Sequence, residues 1–131
     1  MRGRRGNLND MNWTSVLIVV AIMALFFLLK RAGQISHKAA AEYLKHGATV
    51  IDVRTAAEYT AGHLPKAVNM PLSEVEALVA RKIKDKNSVL LLHCQSGTRS
   101  GIAKRKLVSL GYTNTFNLGS YHRAAQIVSG R

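Results

Sequence analysis

The stretch VLLLHCQSGTRSGIAKRKL, Val89 to Leu107, carries the only cysteine in 131 residues. Cys94 stands between a continuous apolar run and a segment that reads as a helix. One cysteine makes no intrachain disulfide, so the thiol is either a small buried hydrophobe or a chemical group. The surroundings favour chemistry. Residues 95–99, Gln-Ser-Gly-Thr-Arg, can turn their backbone N–H groups inward as an anion-binding nest, and the following helix adds partial positive charge at its amino terminus. Gly97 permits a backbone conformation that other residues resist, and Arg99 adds a fixed cation. Such a setting lowers a thiol pKa, toward the roughly 3.5–7.5 range of activated cysteines. The expected site is a reactive, accessible thiolate at Cys94 inside an anion-binding cup made by Gln95, Ser96, Gly97, Thr98 and Arg99.

Other polar residues read as support. Asp52 and Arg54 follow a β-rich run; Asp52 is expected to bond backbone near the loop and Arg54 to pair with Glu58. His63, in the turn Gly-His-Leu-Pro, is expected to make a stabilising hydrogen bond. His93 adjoins Cys94, but successive strand residues face opposite sides, which removes it as a catalytic partner. One cysteine and scattered histidines give no metal-ligand spacing, so no metal and no cofactor are expected. Lys104, Arg105 and Lys106 read as a solvated helix face.

A strand–helix alternation positions these groups. Ser36 is a helix cap, with Ala39, Ala40, Tyr43 and Leu44 available for the buried face and Gly47 as the stop. Thr49 to Val53 is a short strand. Thr55 and Glu58 have capping-box spacing for a short helix. Gly62, Pro65 and Pro71 bracket a short strand at 67–70. A helix is expected to start at Ser73, with Val75, Leu78, Val79 and Ile83 on one face. Ser88 to His93 is the kind of apolar run found in a parallel strand buried on both sides. A helix near Ser100 runs to Leu110 and closes at Gly111; 114–118 is a last strand, and Ser120 caps a final helix carrying Ala124, Ile127 and Val128. The pattern predicts an α/β domain with a central, mostly parallel sheet, and sites at the carboxyl ends of its strands.

The chain divides into a short basic tail at 1–12, an apolar segment with flanking Lys and Arg at 13–31, and the α/β domain at 34–131. Trp13 to Leu29 is uncharged and would span roughly 26 Å as a helix, at the short end for a bilayer core. Trp13 and Lys30–Arg31 sit where interfacial anchors belong. Charges directly after the apolar run count against signal-peptide cleavage, so a single-pass membrane anchor through residues 13–29 is expected. Lys30, Arg31, Lys38 and Lys45, and a thiol that must stay reduced, favour a cytoplasmic domain, although Arg2, Arg4 and Arg5 pull the other way. The net charge is +12, and residues from 36 onward carry 14 basic and 6 acidic side chains. That balance favours anionic partners. No nucleic acid is expected, since no basic–aromatic motif of a nucleic-acid module is present.

The soluble region resembles the rhodanese-like sulfurtransferases. VIDVRTAAEYTAGHLPKAVNMPL, Val50 to Leu72, looks like the family's Asp-Val-Arg segment followed by Glu-Tyr and Gly-His-Leu-Pro; HCQSGTRS looks like its active-site loop; LVSLGYTNTFNLGS looks like its helix, Gly-Tyr turn and last strand. Lys66, Ser120 and Ala125 depart from the usual Gly, second Gly and Trp. The resemblance implies a three-layer α/β/α fold. It also implies a mechanism in which Cys94 takes a sulfane sulfur from a small anionic donor such as thiosulfate and passes it to cyanide or a thiol. Rival readings are a non-catalytic interaction module at the membrane, and a cysteine phosphatase or arsenate reductase. Phosphatases of this kind carry Cys-X5-Arg, whereas Cys94 to Arg99 is Cys-X4-Arg, a smaller loop that fits a sulfur atom better.

Overall fold

The structure, a computed structural model, describes residues 12–131, so the basic tail up to residue 11 lies outside the described residues. It forms two units, up to Ala32 and from Gly33 onward. The first contains helix α1, Trp13–Ala32, in which no residue is buried. Its length and composition suffice to cross a membrane, a test that a signal sequence also passes.

The second unit is a sheet covered on both faces. Its elements are α2 (His37–Lys45), β1 (Thr49–Asp52), α3 (Ala56–Ala61), β2 (Val68–Asn69), α4 (Val75–Lys82), β3 (Leu90–His93), α5 (Thr98–Ser109), β4 (Thr115–Gly119) and α6 (Tyr121–Val128). The strand order is β2-β1-β3-β4, and all neighbours are parallel. Parallel strands need covered crossovers, so both faces must be apolar. Side-chain alternation along the strands splits the core accordingly. Ile51, Val53, Leu90 and Leu92 pack with Val75, Val79, Ala103 and Leu107 of α4 and α5. Val50, Leu91 and Leu118 pack with Ala40, Ala124 and Ile127 of α2 and α6. Leu90, Leu91 and Leu92 are wholly buried, which explains the unbroken apolar run.

Local signals act as expected at most termini. Ser36 and Ser120 accept from the N–H of Ala39 and Arg123. Thr55 and Glu58 form a complete capping box. Two starts differ from the sequence reading. α4 begins at Val75, behind Glu74, with no side-chain cap. Glu74 N–H donates to Pro71 O at 2.8 Å, so Ser73 is used in a turn and not as the cap. α5 begins at Thr98, two residues before Ser100, which places the helix amino terminus inside the loop.

Lys66 is the one non-glycine residue with positive φ among those described, at 62°. The left-handed region costs a residue with a β-carbon roughly 1–2 kcal/mol, so a glycine would relieve the turn there. Ala125 borders a surface groove of about 600 Å³ together with Leu64, Pro65 and Lys66.

Candidate active site

Cys94 directly follows β3 at the carboxyl edge of the sheet and belongs to the α4–α5 core cluster. The turn behind it is made by Gly97, whose φ of 91° places it in the left-handed region and makes it the amino cap of α5. Any larger residue there is strained, and its β-carbon would come within 3.2 Å of Gly119 Cα. This turn folds the loop back over the sulfur. Gly97 N–H donates to Cys94 Sγ at 3.0 Å. The backbone N–H groups of Ser96 and Ser100 also act on the thiolate. Ser96, Gly97 and Ser100 therefore contribute to the nest, which reaches one residue beyond the Gln95–Arg99 run.

The accessible thiol expected from sequence is corrected by this geometry. Cys94 has no exposed surface, because the loop closes over it. Burial alone pushes the thiol pKa up. Hydrogen bonds from the Ser100 hydroxyl and from the Ser100, Gly97 and Ser96 backbone outweigh it, and the thiol sits below its ordinary value. An inert core cysteine, with apolar neighbours alone, would move the other way.

Ser100 Oγ lies 3.5 Å from Cys94 Sγ and 2.7 Å from Asn117 Oδ1. A hydroxyl has one hydrogen, so it serves one acceptor at a time. With the thiol protonated, S–H can donate to Ser100 Oγ while the hydroxyl donates to Asn117. With the thiolate present, the hydroxyl can turn to the sulfur. Asn117 ties this pair to the loop: Oδ1 also accepts Gly119 N–H at 2.8 Å, and Nδ2 donates to Gly97 O at 3.2 Å. Sequence reasoning missed both roles. The signal for Asn117 was a polar residue between Phe116 and Leu118 in a strand with no exposed side.

Arg99 does not pair with loop carbonyls. Its guanidinium takes Glu58 in two hydrogen bonds, 2.7 and 2.9 Å, and Glu58 also accepts Thr55 N–H. The expected Arg54–Glu58 pair is therefore replaced by Arg99–Glu58. Arg54 pairs instead with Asp52, at 2.7 Å between Nη2 and Oδ2, and both are buried. The cause is local: Asp52 and Arg54 are two apart in extended chain and share a side, and Asp52 Oδ1 also accepts Arg54 N–H. The Asp52 carboxylate thus bonds its own segment, not the Cys94 loop. Arg54 also donates to Gly62 O and lies over the Tyr121 ring. His93 points to that side of the sheet, beside Tyr121, with Nε2 3.8 Å from Asp52 Oδ2. Burial holds His93 below its ordinary pKa, against the pull of Asp52. His63 makes its expected hydrogen bond, Nδ1–H donating to Tyr59 O at 2.9 Å, and stacks on the Tyr59 ring.

The rim of the loop is polar. Gln95, Ser96 and Thr98 are exposed. Gln95 O accepts Tyr121 N–H, and Ser96 bridges Ser120. These ties fix the loop to the start of α6.

Arg99 first, and then the Thr55 N–H, hold Glu58 at about 2, below its ordinary 4.5. A depressed carboxylate stabilises the fold fully above its unfolded pKa, and that contribution is lost as pH falls through the folded value. Glu58→Gln should therefore lower stability by a constant amount above pH 5, with the difference shrinking as pH falls from 4.5 toward 2. Denaturant unfolding across that range checks it; a difference that persists at pH 2 contradicts it.

A sequence model of the rhodanese-like domain matches residues 36–123. The chain belongs to the rhodanese-like domain family. Among curated relatives, this rhodanese-like chain is 41% identical over 69 residues to the Escherichia coli thiosulfate sulfurtransferase PspE, covering 53% of this chain and 66% of that protein, just under two thirds. It is 34% identical over 88 residues to the human thiosulfate:glutathione sulfurtransferase, covering 58% and 76%. Among solved structures, a human single-domain sulfurtransferase superimposes with TM-score 0.62 at 30% identity, over 72% of this chain and 96% of the other. An Escherichia coli rhodanese with bound anions gives 0.57 at 36% identity, over 59% and 91%. The three-layer rhodanese fold with its parallel sheet is thus the fold of the second unit. Among the described residues no group of three or more His, Cys, Asp or Glu could hold a metal ion.

Proposed function

We propose that this chain is a sulfurtransferase whose nucleophile is Cys94. One observation carries the reading: the sole cysteine, at the carboxyl end of a buried parallel strand, has its sulfur held by inward N–H groups under a six-residue loop closed by Arg99. Relatives named as thiosulfate and thiosulfate:glutathione sulfurtransferases support it.

The reaction balances without a cofactor. The Cys94 thiolate attacks the outer sulfur of thiosulfate; the S–S bond to the sulfonate group breaks, and sulfite leaves with the electron pair. Cys94 then carries a persulfide. Cyanide or a thiolate attacks its outer sulfur, giving thiocyanate or a new persulfide and returning the Cys94 thiolate. The N–H groups that hold the thiolate serve the persulfide anion equally. Because the resting thiol is covered, the donor enters only as the loop rim gives way. Arg99 can take the sulfonate when it releases Glu58, a charge-for-charge exchange. Gln95, Ser96 and Thr98 meet the substrate at the mouth. Asp52 and Arg54 act at a distance, by fixing the backbone beside β3.

The anchoring proposal rests on α1, with Lys30 and Arg31 at its end, and on the basic residues after it, which favour a cytoplasmic domain. Full burial of the thiol is what a non-catalytic interaction module would tolerate. The N–H ring and lowered thiol pKa have no use in such a module, so transfer is preferred.

Loop size separates sulfur transfer from phosphoryl chemistry. Inserting one glycine between Gly97 and Thr98 makes Cys-X5-Arg and moves the donors off the sulfur. Losing one such donor costs about 10²–10³ in rate in other enzymes. Thiosulfate:cyanide transfer should fall by that order while the fold survives. Unchanged transfer, or efficient phosphatase activity in the parent chain, would overturn the reading.

A further inference from the structure

The segment Gly33–Ile35 lies against the open edge of β4, at the end where Cys94 stands. Gln34 bridges Asn117 in parallel, and Ile35 N–H donates to Asn117 O at 3.0 Å. The Arg123 guanidinium fastens the same place by donating to Ile35 O and Leu118 O. From this fixed backbone the Gln34 side chain reaches two glycines. A β-carbon on Gly119 would stand 2.8 Å from Gln34 Nε2 and 2.9 Å from its Cδ; one on Gly97 would stand 3.3 Å from Nε2. Gln34 thus fills the space that both glycines leave empty.

Those two glycines hold Cys94 from both sides. Gly97 N–H reaches the sulfur at 3.0 Å, and Gly119 O accepts Cys94 N–H at 3.3 Å. Both have positive φ, 91° and 95°. Glycine is the residue with the most backbone freedom, so two glycines around a nucleophile need an outside constraint. Packed contacts supply it, and a gap of 0.5–1 Å already forfeits about a quarter to a half of each contact's attraction. The Gln34 carboxamide makes no hydrogen bond among the described residues, so its contribution here is shape.

We infer that Gln34 is a positioning residue for sulfur transfer: its side chain caps Gly97 and Gly119 and holds the Gly97 N–H on the Cys94 sulfur. This rests on the reading of Cys94 as the nucleophile. Residue 34 lies in the connection from α1, so the site includes a residue before the strands and helices of the α/β domain begin.

The test uses the full chain in detergent and three forms: parent, Gln34→Ala and Gln34→Met. Cys94 is the single cysteine, so its titration is read from the thiolate's ultraviolet absorption against a Cys94→Ser blank. The charged and titratable groups near the site, His93, Asp52, Arg54, Glu58 and Arg99, are the same in all forms. With Gln34→Ala, the thiol midpoint should rise by roughly half a pH unit or more, the loss of about one hydrogen bond to the thiolate. The kcat for thiosulfate:cyanide transfer should fall several-fold with KM for thiosulfate little changed. Gln34→Met, of similar length without the amide, should restore both values. An unmoved midpoint in Gln34→Ala, with or without a lower melting temperature, overturns the inference. So does a midpoint shift in Gln34→Met equal to that of Gln34→Ala, which would assign the effect to the amide's polarity. If the parent transfers no sulfur, the functional reading fails, while the titration still decides whether Gln34 positions the loop.

Discussion

Cys94→Ser should reduce thiosulfate:cyanide sulfur transfer to background with the fold intact. Serine is the smaller isostere of cysteine, and the Gly97 and Ser100 donors face its hydroxyl as they face the thiol. What is lost is the chemistry. A serine hydroxyl is not ionised by this ring near neutral pH, and among the described residues no general base faces it: His93 lies on the opposite side of the sheet with Asp52 and Tyr121. Oxygen also cannot hold a transferable sulfane sulfur as a persulfide does. Thiocyanate formation, measured beside the melting temperature, checks both halves. Retained transfer in Cys94→Ser would remove Cys94 from the mechanism.

The largest expected effect on stability is at Asp52. Its carboxylate is fully buried and takes three bonds from the Arg54 guanidinium and one from its backbone N–H. Asp52→Ala leaves the buried Arg54 with Gly62 O and the Tyr121 face but no counter-charge. Breaking one side of a buried pair costs about 3–5 kcal/mol elsewhere. The double variant Asp52→Ala with Arg54→Met removes both charges and should recover a large part of that loss. Denaturant midpoints of the two variants test this. A cost below about 1 kcal/mol for Asp52→Ala would mean the pair is not buried as described. The double variant being as unstable as the single would mean that packing, not the orphaned charge, is responsible.

The fold was legible because its signals are local and repeat. The Leu90–Leu92 run, the Thr55–Glu58 capping box and the Ser36 and Ser120 caps each depend on residues within one turn or one strand. So does the position of Cys94 between strand and helix. What escaped is long-range. Glu58 can reach either Arg54 or Arg99, and spacing favours Arg54; the sheet brings Arg99 from 41 residues away, while Asp52 takes Arg54 first. Asn117 and Ser100 meet only because β4 lies beside β3 and α5 leaves its edge. The burial of Cys94 follows from the tightness of the turn at Gly97, which composition does not encode. Gln34 opens the α/β domain ahead of its first capping residue and carries no local signal of its own, yet the β4 edge recruits it. Ser73, a good cap in isolation, is used by the turn that Pro71 starts.

Sulfur transfer through this loop requires Cys94 itself to carry the sulfur between donor and acceptor. Intact mass spectrometry of the full chain after brief exposure to thiosulfate, followed by removal of the donor, tests it most directly. The expected result is the added mass of one sulfur atom, located on the peptide containing Cys94, absent in Cys94→Ser and discharged by cyanide. A parent chain that gains no sulfur, or gains it elsewhere, removes Cys94 as the sulfur carrier.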